Sequence, residues 1–246
     1  MSETSRLPRN SMEKGLMDGR RIYLMRHGET LYQRVANEGA LGNGALTERG
    51  QEQTTAVALL FRGVPLDAIY ASPLERAYET AQIIAKEKEL DIQVAPELSE
   101  IIPSDTVLAQ KSLTDIFKEI QEFFKNTDSD WDESYLGGES FRQVYARAGH
   151  LLQTLLAKDD WQTILLVAHG GVNNAFLAHA TGVTQGRIFN IEQDFGCINI
   201  IDFVHGRPFL RLANFTLYDQ LKIHLRKHSL DIILNLLRGR GIIDAD

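Results

Sequence analysis

The sequence predicts a doubly wound α/β domain, and three observations lead to it. Short apolar runs alternate along the chain with stretches of helical periodicity, the pattern of strands joined by crossover helices. Residues 163–168 are the most hydrophobic run and show no polar alternation, as expected of a central parallel strand covered on both faces. Two later runs, 197–204 and 209–213, flank the turn His205-Gly206-Arg207 and read as an antiparallel hairpin at the sheet edge.

The elements follow in order. Residues 1–20 mix Ser, Glu, Arg, Pro and Asn, lack the apolar core of a signal peptide, and read as a flexible arm. Residues 21–25 form an apolar strand running into Arg26-His27-Gly28. Thr47 is a helix N-cap, and Val57, Leu60 and Phe61 place a helix over 48–62. Residues 66–71 are a second strand. Ser72-Pro73 then reads as a capped helix start with proline at the first helical position, and Ala77, Ala81 and Ile84 share one face of a helix ending near Lys88. Residues 92–94 form a short strand. The less regular stretch 99–138 reads as an insertion over one end of the sheet, with a helical piece at 113–124. Helical spacing resumes over 141–156, and after the central strand His169-Gly170-Gly171 opens a helix over 172–180. No linker interrupts the domain over 21–214. Leu217, Leu221, Leu225, Ile232 and Leu236 then recur near helical spacing, so 215–246 reads as a helical extension, packed on the domain or serving as a docking helix.

Composition excludes several classes. The 246 residues are 43% hydrophobic and suffice for one large domain that needs no disulfide or metal to hold its core. Cys197 is the single cysteine, so no intramolecular disulfide forms, which fits a reducing compartment; the cytoplasm is the expected location. With 26 basic and 33 acidic residues, a net charge of −7, there is no chain-wide basic footprint for nucleic acid. No run approaches the roughly 20 apolar residues of a spanning helix. An acidic chain binds an anion only where its basic residues converge.

The fold predicts that convergence, because ligands of doubly wound sheets bind beyond the carboxyl ends of the strands. Two strands end in His-Gly, at His27 and His169, and a third leads to Arg76. One pocket could therefore hold Arg26, His27, Arg76, Glu100 and His169. Two guanidiniums grip a phosphoryl group through several N–H donors and stay charged. A neutral imidazole can attack phosphorus, a second can donate to an equatorial oxygen, and a carboxylic acid can protonate the leaving oxygen and later activate water. Backbone N–H groups at helix starts after Gly28 and Gly170 would also point at the anion. Phosphoryl transfer rests mainly on such positioning and charge stabilisation. Glu97, Asp105 and Glu139 are the other carboxylates that compete with Glu100. His150, His179, His205, His224 and His228 read as structural or exposed, Cys197 as a core residue, and no Cys/His cluster has zinc-ligand spacing.

Arg26-His27-Gly28-Glu29-Thr30 resembles the signature of the histidine phosphatase (phosphoglycerate mutase-like) superfamily. Leu46-Thr47-Glu48-Arg49-Gly50-Gln51, the segment from Ser72-Pro73 through Arg76-Ala77 to Thr80-Ala81, Leu98-Ser99-Glu100-Ile101, Gly137-Gly138-Glu139-Ser140 and Val167-Ala168-His169-Gly170-Gly171 are similar to its later blocks, in the same order. The resemblance implies a three-layer sandwich around a mostly parallel six-stranded sheet with an antiparallel edge strand. It implies phosphomonoester hydrolysis on a small phosphorylated metabolite, with His27 as nucleophile, Glu100 as proton donor, and Arg26, Arg76, His169 and Gly170 at the phosphoryl group. Thr30 would shape the loop. No metal and no organic cofactor are implied. Three departures bear on substrate choice. Gln33 stands where the family often has Asn and reaches one methylene further towards the phosphate. Residues 101–105 lack the common Gly and Glu after the acid, and 34–45 lack the common Arg and Pro. A phosphoglycerate-type mutase, a phosphoprotein phosphatase and a regulatory binder of phosphorylated ligands would use the same pocket; the longer loop and aromatic Gly-rich segment typical of mutases are not evident. A homodimer through the sheet edge or the C-terminal helix is the remaining partner expectation.

Overall fold

A computed structural model describes residues 19–30, 44–125, 131–184 and 191–217, with Asn235 and Arg238. Gln33, nearly all of the 34–45 loop, the arm before Gly19 and most of the C-terminal extension lie outside the described residues.

Six strands form one sheet: β1 (Gly19–Arg26), β2 (Ala68–Ala71), β3 (Ile92–Val94), β4 (Thr163–Ala168), β5 (Ile198–Val204) and β6 (Arg207–Phe215), in the order β3-β2-β4-β1-β5-β6. β1, β2, β3 and β4 pair in parallel, and the antiparallel element is the β5–β6 hairpin at one edge. The helices are α1 (Glu48–Phe61), α2 (Glu75–Lys88), α3 (Asp105–Ala109), α4 (Leu113–Lys125), α5 (Phe141–Leu156) and α6 (Gly170–Thr181). Successive side chains of β1 point to opposite faces. Ile22 and Leu24 join Ile164, Leu166, Val144, Leu151, Val172 and Phe176 under α5 and α6. Tyr23 and Met25 join Leu165, Val167, Val57, Phe61, Ala81 and Ile84 under α1 and α2. These two cores make the three layers, and they explain why β4 carries no polar alternation: Ile164 through Ala168 are fully buried on both faces.

Most local expectations hold. Thr47 caps α1, its Oγ1 accepting from Gly50 N at 3.0 Å. α5 begins with a capping box, Ser140 and Gln143 each accepting from the other's backbone. Three differ. β1 starts at Gly19, and Arg20 donates to the carbonyls of Leu156 and Lys158, so the last two residues of the expected arm belong to the sheet. The hairpin turn is the pair His205-Gly206, with φ of 50° and 74°, a left-handed pair whose twist suits two-residue hairpins; Arg207 already belongs to β6. Ser72-Pro73 does not start a helix. Ser72 N donates to Val167 O, continuing the sheet ladder, so α2 begins only at Glu75 with Leu74 as its N-cap.

Candidate active site

The parallel register sets Arg26 beside Ala168 and Ala71 beside Val167, so three strands end at one level. His27 N donates to Ala168 O at 3.0 Å, which carries the ladder one residue further and puts His27 and His169 side by side. Their rings lie 5.0 Å apart, and both are buried. Arg76, on the first turn of α2, reaches back so that its Nε donates to His27 Nε2 at 3.2 Å. His27 Nδ1 lies 2.7 Å from Gly28 O, which can only accept. The two bonds together assign the tautomer: the proton sits on Nδ1, and Nε2 presents its lone pair. Burial first, then the Arg76 and Arg26 charges, hold His27 well below the usual imidazole pKa of 6.5, so it is neutral at pH 7.

His169 is fully buried, and its pKa is also lowered, by burial first and then by Arg76, His27, Arg26 and Arg147. Its Nε2 bonds Ser72 Oγ at 2.8 Å, while its Nδ1 has no protein partner. Arg26 is held by a hydrogen bond from its Nη1 to Gln193 O and by the Phe195 ring, 4.2 Å from its guanidinium carbon; its buried Nε has no protein partner either. The Gln193 side chain is pinned by Asn173 and Asn199. Buried polar atoms without partners are costly unless something satisfies them; Arg26 Nε–H can be met by an oxyanion, and so can His169 Nδ1 in the tautomer that carries its proton there.

Three backbone amides near the pocket are already engaged by the protein. Gly28 N–H goes to Thr80 Oγ1 at 3.1 Å and Glu29 N to Gln53 Oε1 at 2.9 Å, while a helix start beyond Thr30 would lie outside the described residues. At the start of α6, Gly171 N goes to Glu100 Oε2 at 3.2 Å. Gly170 lies against Arg26, 3.7 Å from its position for a Cβ to the guanidinium carbon. Thr30 shapes its loop as expected, donating to the carbonyls of Gly44 and Ala45 at 2.8 Å.

Glu100 sits just beyond a 3₁₀ turn (Pro96–Leu98) and is half-buried. Its Oε1 accepts from Ile101 N at 3.0 Å, and the Gly171 bond ties it to the His169 loop. A Cβ on Gly171 would stand 2.4 Å from Glu100 Oε1, so glycine is required for this approach. The competing carboxylates are placed elsewhere. Glu139 is bound by Arg147 and Ile102 N, and Asp105 is exposed on the first turn of α3. Among the described residues, no three His, Cys, Asp or Glu side chains gather as metal ligands.

Sequence reasoning missed Ser72, Gln193, Phe195 and Arg147. Ser72 lay inside a recognised block but was read as a cap. Arg147 had a signal: it sits on the helix face shared by Val144, Ala148 and Leu151, where a long cation has no reason to be unless something holds it. Gln193 and Phe195 carried none.

A doubly wound sheet with two histidines, two arginines and a carboxylate at the carboxyl ends of its strands defines a class of phosphoryl-handling α/β proteins. Residues 22–216 match the histidine phosphatase superfamily, branch 1, and the chain belongs to that family. It is 31% identical over 199 residues to the adenosylcobalamin/alpha-ribazole phosphatase of Escherichia coli K12, covering 79% of this chain and 95% of that one. It is 26% identical over 197 residues to phosphoserine phosphatase 1 of Hydrogenobacter thermophilus, covering 80% and 92%. The crystal structure of the alpha-ribazole phosphatase from Shigella flexneri superposes with a TM-score of 0.64 at 29% identity, covering 79% of this chain and 96% of that chain. The chain is a phosphatase of this family. No helix among the described residues is long and apolar enough to cross a membrane.

Proposed function

We propose that this phosphatase hydrolyses the phosphomonoester of a small metabolite, without a metal, through a phosphohistidine on His27. The observation that carries the reading is the His27 tautomer: Nδ1–H is committed to Gly28 O, and the Nε2 lone pair faces Arg76. Arg26, Arg76 and His169 hold the phosphoryl oxygens, with His169 donating from Nδ1 while Ser72 supports Nε2. His27 Nε2 attacks phosphorus as the ester P–O bond breaks, and Glu100 delivers a proton to the departing alcohol oxygen. Water then attacks the phosphohistidine, Glu100 takes its proton, and the N–P bond breaks to release phosphate. The named activities of the relatives, on alpha-ribazole phosphate and on phosphoserine, support a small phosphorylated substrate.

The test is steady-state hydrolysis of a panel of phosphorylated metabolites and an aryl phosphate in EDTA, with His27→Ala as blank. Turnover that vanishes in the variant, with an acid-labile phosphoenzyme trapped on His27, is the expected result. No turnover on any member, with tight binding of inorganic phosphate, would overturn hydrolysis in favour of a binding role.

A further inference from the structure

We propose that the Arg147–Glu139 ion pair is a positioning device for the Glu100 carboxyl, and so sets how well the enzyme handles poor leaving groups. The inference rests on Glu100 being the proton donor. Arg147 projects from α5 and uses its whole guanidinium. Nε and Nη2 form a fork on the two oxygens of Glu139 at 2.7 and 3.0 Å. Nη1 donates to Glu97 O, and Nη2 also donates to Glu100 O at 3.1 Å. Glu139 closes the circuit from the other side: its Oε2 accepts from Ile102 N at 3.1 Å, and its N–H donates to Ile102 O at 2.7 Å. The backbone is thus anchored at 97, 100 and 102, before, at and after the acid.

These anchors lie where no regular element could supply them. Residues 100–103 lie between a 3₁₀ turn that closes at Ser99 and the N-cap of α3 at Ser104, so they belong to no helix or strand of their own. Gly138 makes the packing possible, since a Cβ there would lie 2.2 Å from Ile102 O. Both charges are largely buried, with side chains 17% and 13% exposed. A desolvated pair of this kind gains little net stability over apolar packing, although losing one partner is costly. What it offers here is fixed geometry, because a bidentate fork restricts both angle and distance. A proton donor needs that: it must stand within about 2.6–3.2 Å of the leaving oxygen. An aryl phosphate whose leaving group departs unprotonated does not.

The experiment compares kcat/KM for glycerol 2-phosphate and 2,4-dinitrophenyl phosphate in Glu100→Gln, Arg147→Lys and Glu139→Gln, with thermal melting of each. Lysine keeps the charge but cannot form the fork. A displacement of about 1 Å can cost on the order of a hundredfold. Arg147→Lys and Glu139→Gln are therefore expected to lose about 10- to 100-fold on the alkyl ester and less than about threefold on the aryl ester. Inhibition by inorganic phosphate should be unchanged. If Glu100→Gln is selective for the alkyl ester while both clamp variants lose equally on the two esters, the positioning role is wrong and the pair only staples the loop. If Glu100→Gln itself loses equally on both, the assignment of Glu100 is wrong, and this inference falls with it. Should Arg147→Lys melt near the assay temperature, Glu139→Gln alone decides, since it retains one acceptor oxygen for Arg147.

Discussion

His27 enters the pocket with its Nδ1–H held by Gly28 O and its Nε2 lone pair turned to Arg76, and the neighbouring His169 is bonded through Nε2 to Ser72. In the proposed reaction Ser72 touches no substrate atom, yet it decides which His169 nitrogen faces the phosphoryl group. Ser72→Ala leaves Nε2 buried without a partner, a cost of about 1–3 kcal/mol, and frees the ring to take either tautomer. The expected outcome is roughly tenfold weaker competitive inhibition by vanadate together with a melting temperature lowered by a few degrees, read by inhibition kinetics and calorimetry. Equal inhibition in Ser72→Ala and wild type would remove Ser72 from the site. Arg76 poses a different demand, since its Nε meets His27 Nε2 at 3.2 Å and a planar guanidinium sets that approach. Arg76→Lys offers a point charge without that planar fork and should recover almost none of the activity lost in Arg76→Ala.

At the level of elements, the contact between the β1 loop and the start of α1 controls where His27 stands. Gly28 and Gly50 face each other so closely that a Cβ on Gly28 would lie 2.4 Å from Gly50 O, and one on Gly50 would lie 2.1 Å from Glu29 O. Both obstacles are backbone, so neither can swing aside. Gly50→Ala should therefore destabilise the fold by about 1–3 kcal/mol through overpacking. It should also lower kcat more than Thr47→Ala does, because only the former pushes on the loop that carries His27. Thr47→Ala removes an N-cap worth about 1 kcal/mol and the hydroxyl's bond to Glu29 Oε1, but adds no atom to the glycine contact, where Thr47 N still donates to Glu29 O. Urea unfolding midpoints beside kcat for the two variants check this. Comparable kcat in both would show that the loop tolerates the displacement.

For the whole molecule, two buried neutral histidines make stability depend on pH. Both His27 and His169 have folded pKa values well below 6.5, whereas the unfolded chain protonates them near that value. Below about pH 6.5 the unfolded state therefore binds protons that the folded state refuses, and stability falls as pH drops. Above that value these two residues contribute a flat profile. With about 1.4 kcal/mol per pH unit for each histidine, the limiting slope from the pair is about 2.8 kcal/mol per pH unit. Chemical denaturation between pH 7.5 and 5.5 should show the decline, and a His27→Asn/His169→Asn protein should show a shallower one. An unchanged slope in the double variant would assign the pH dependence to other groups.

The order of strands and helices, the two-sided burial of β4, the cap at Thr47 and the His27, Arg76 and His169 positions were all legible in the chain, because each depends on local periodicity or on where a strand ends. The start of α2 was not. Ser72-Pro73 has the composition of a capped helix start, and only the ladder bond from Ser72 N to Val167 O, 95 residues away in sequence, keeps it in the sheet and frees its hydroxyl for His169. The backbone amides after Gly28 and at Gly171 were likewise open on local grounds, and contacts with Thr80, Gln53 and Glu100 claim them. Glu139 and Glu100 look alike as carboxylates beside glycine or apolar neighbours; α5 separates them by presenting Arg147 to one and leaving the other at the His169 loop. Periodicity thus decides which elements exist and which strand ends meet. Hydrogen bonds between segments far apart in the chain decide which donors and acceptors remain for a substrate, because a buried polar group is committed by whatever the fold brings beside it.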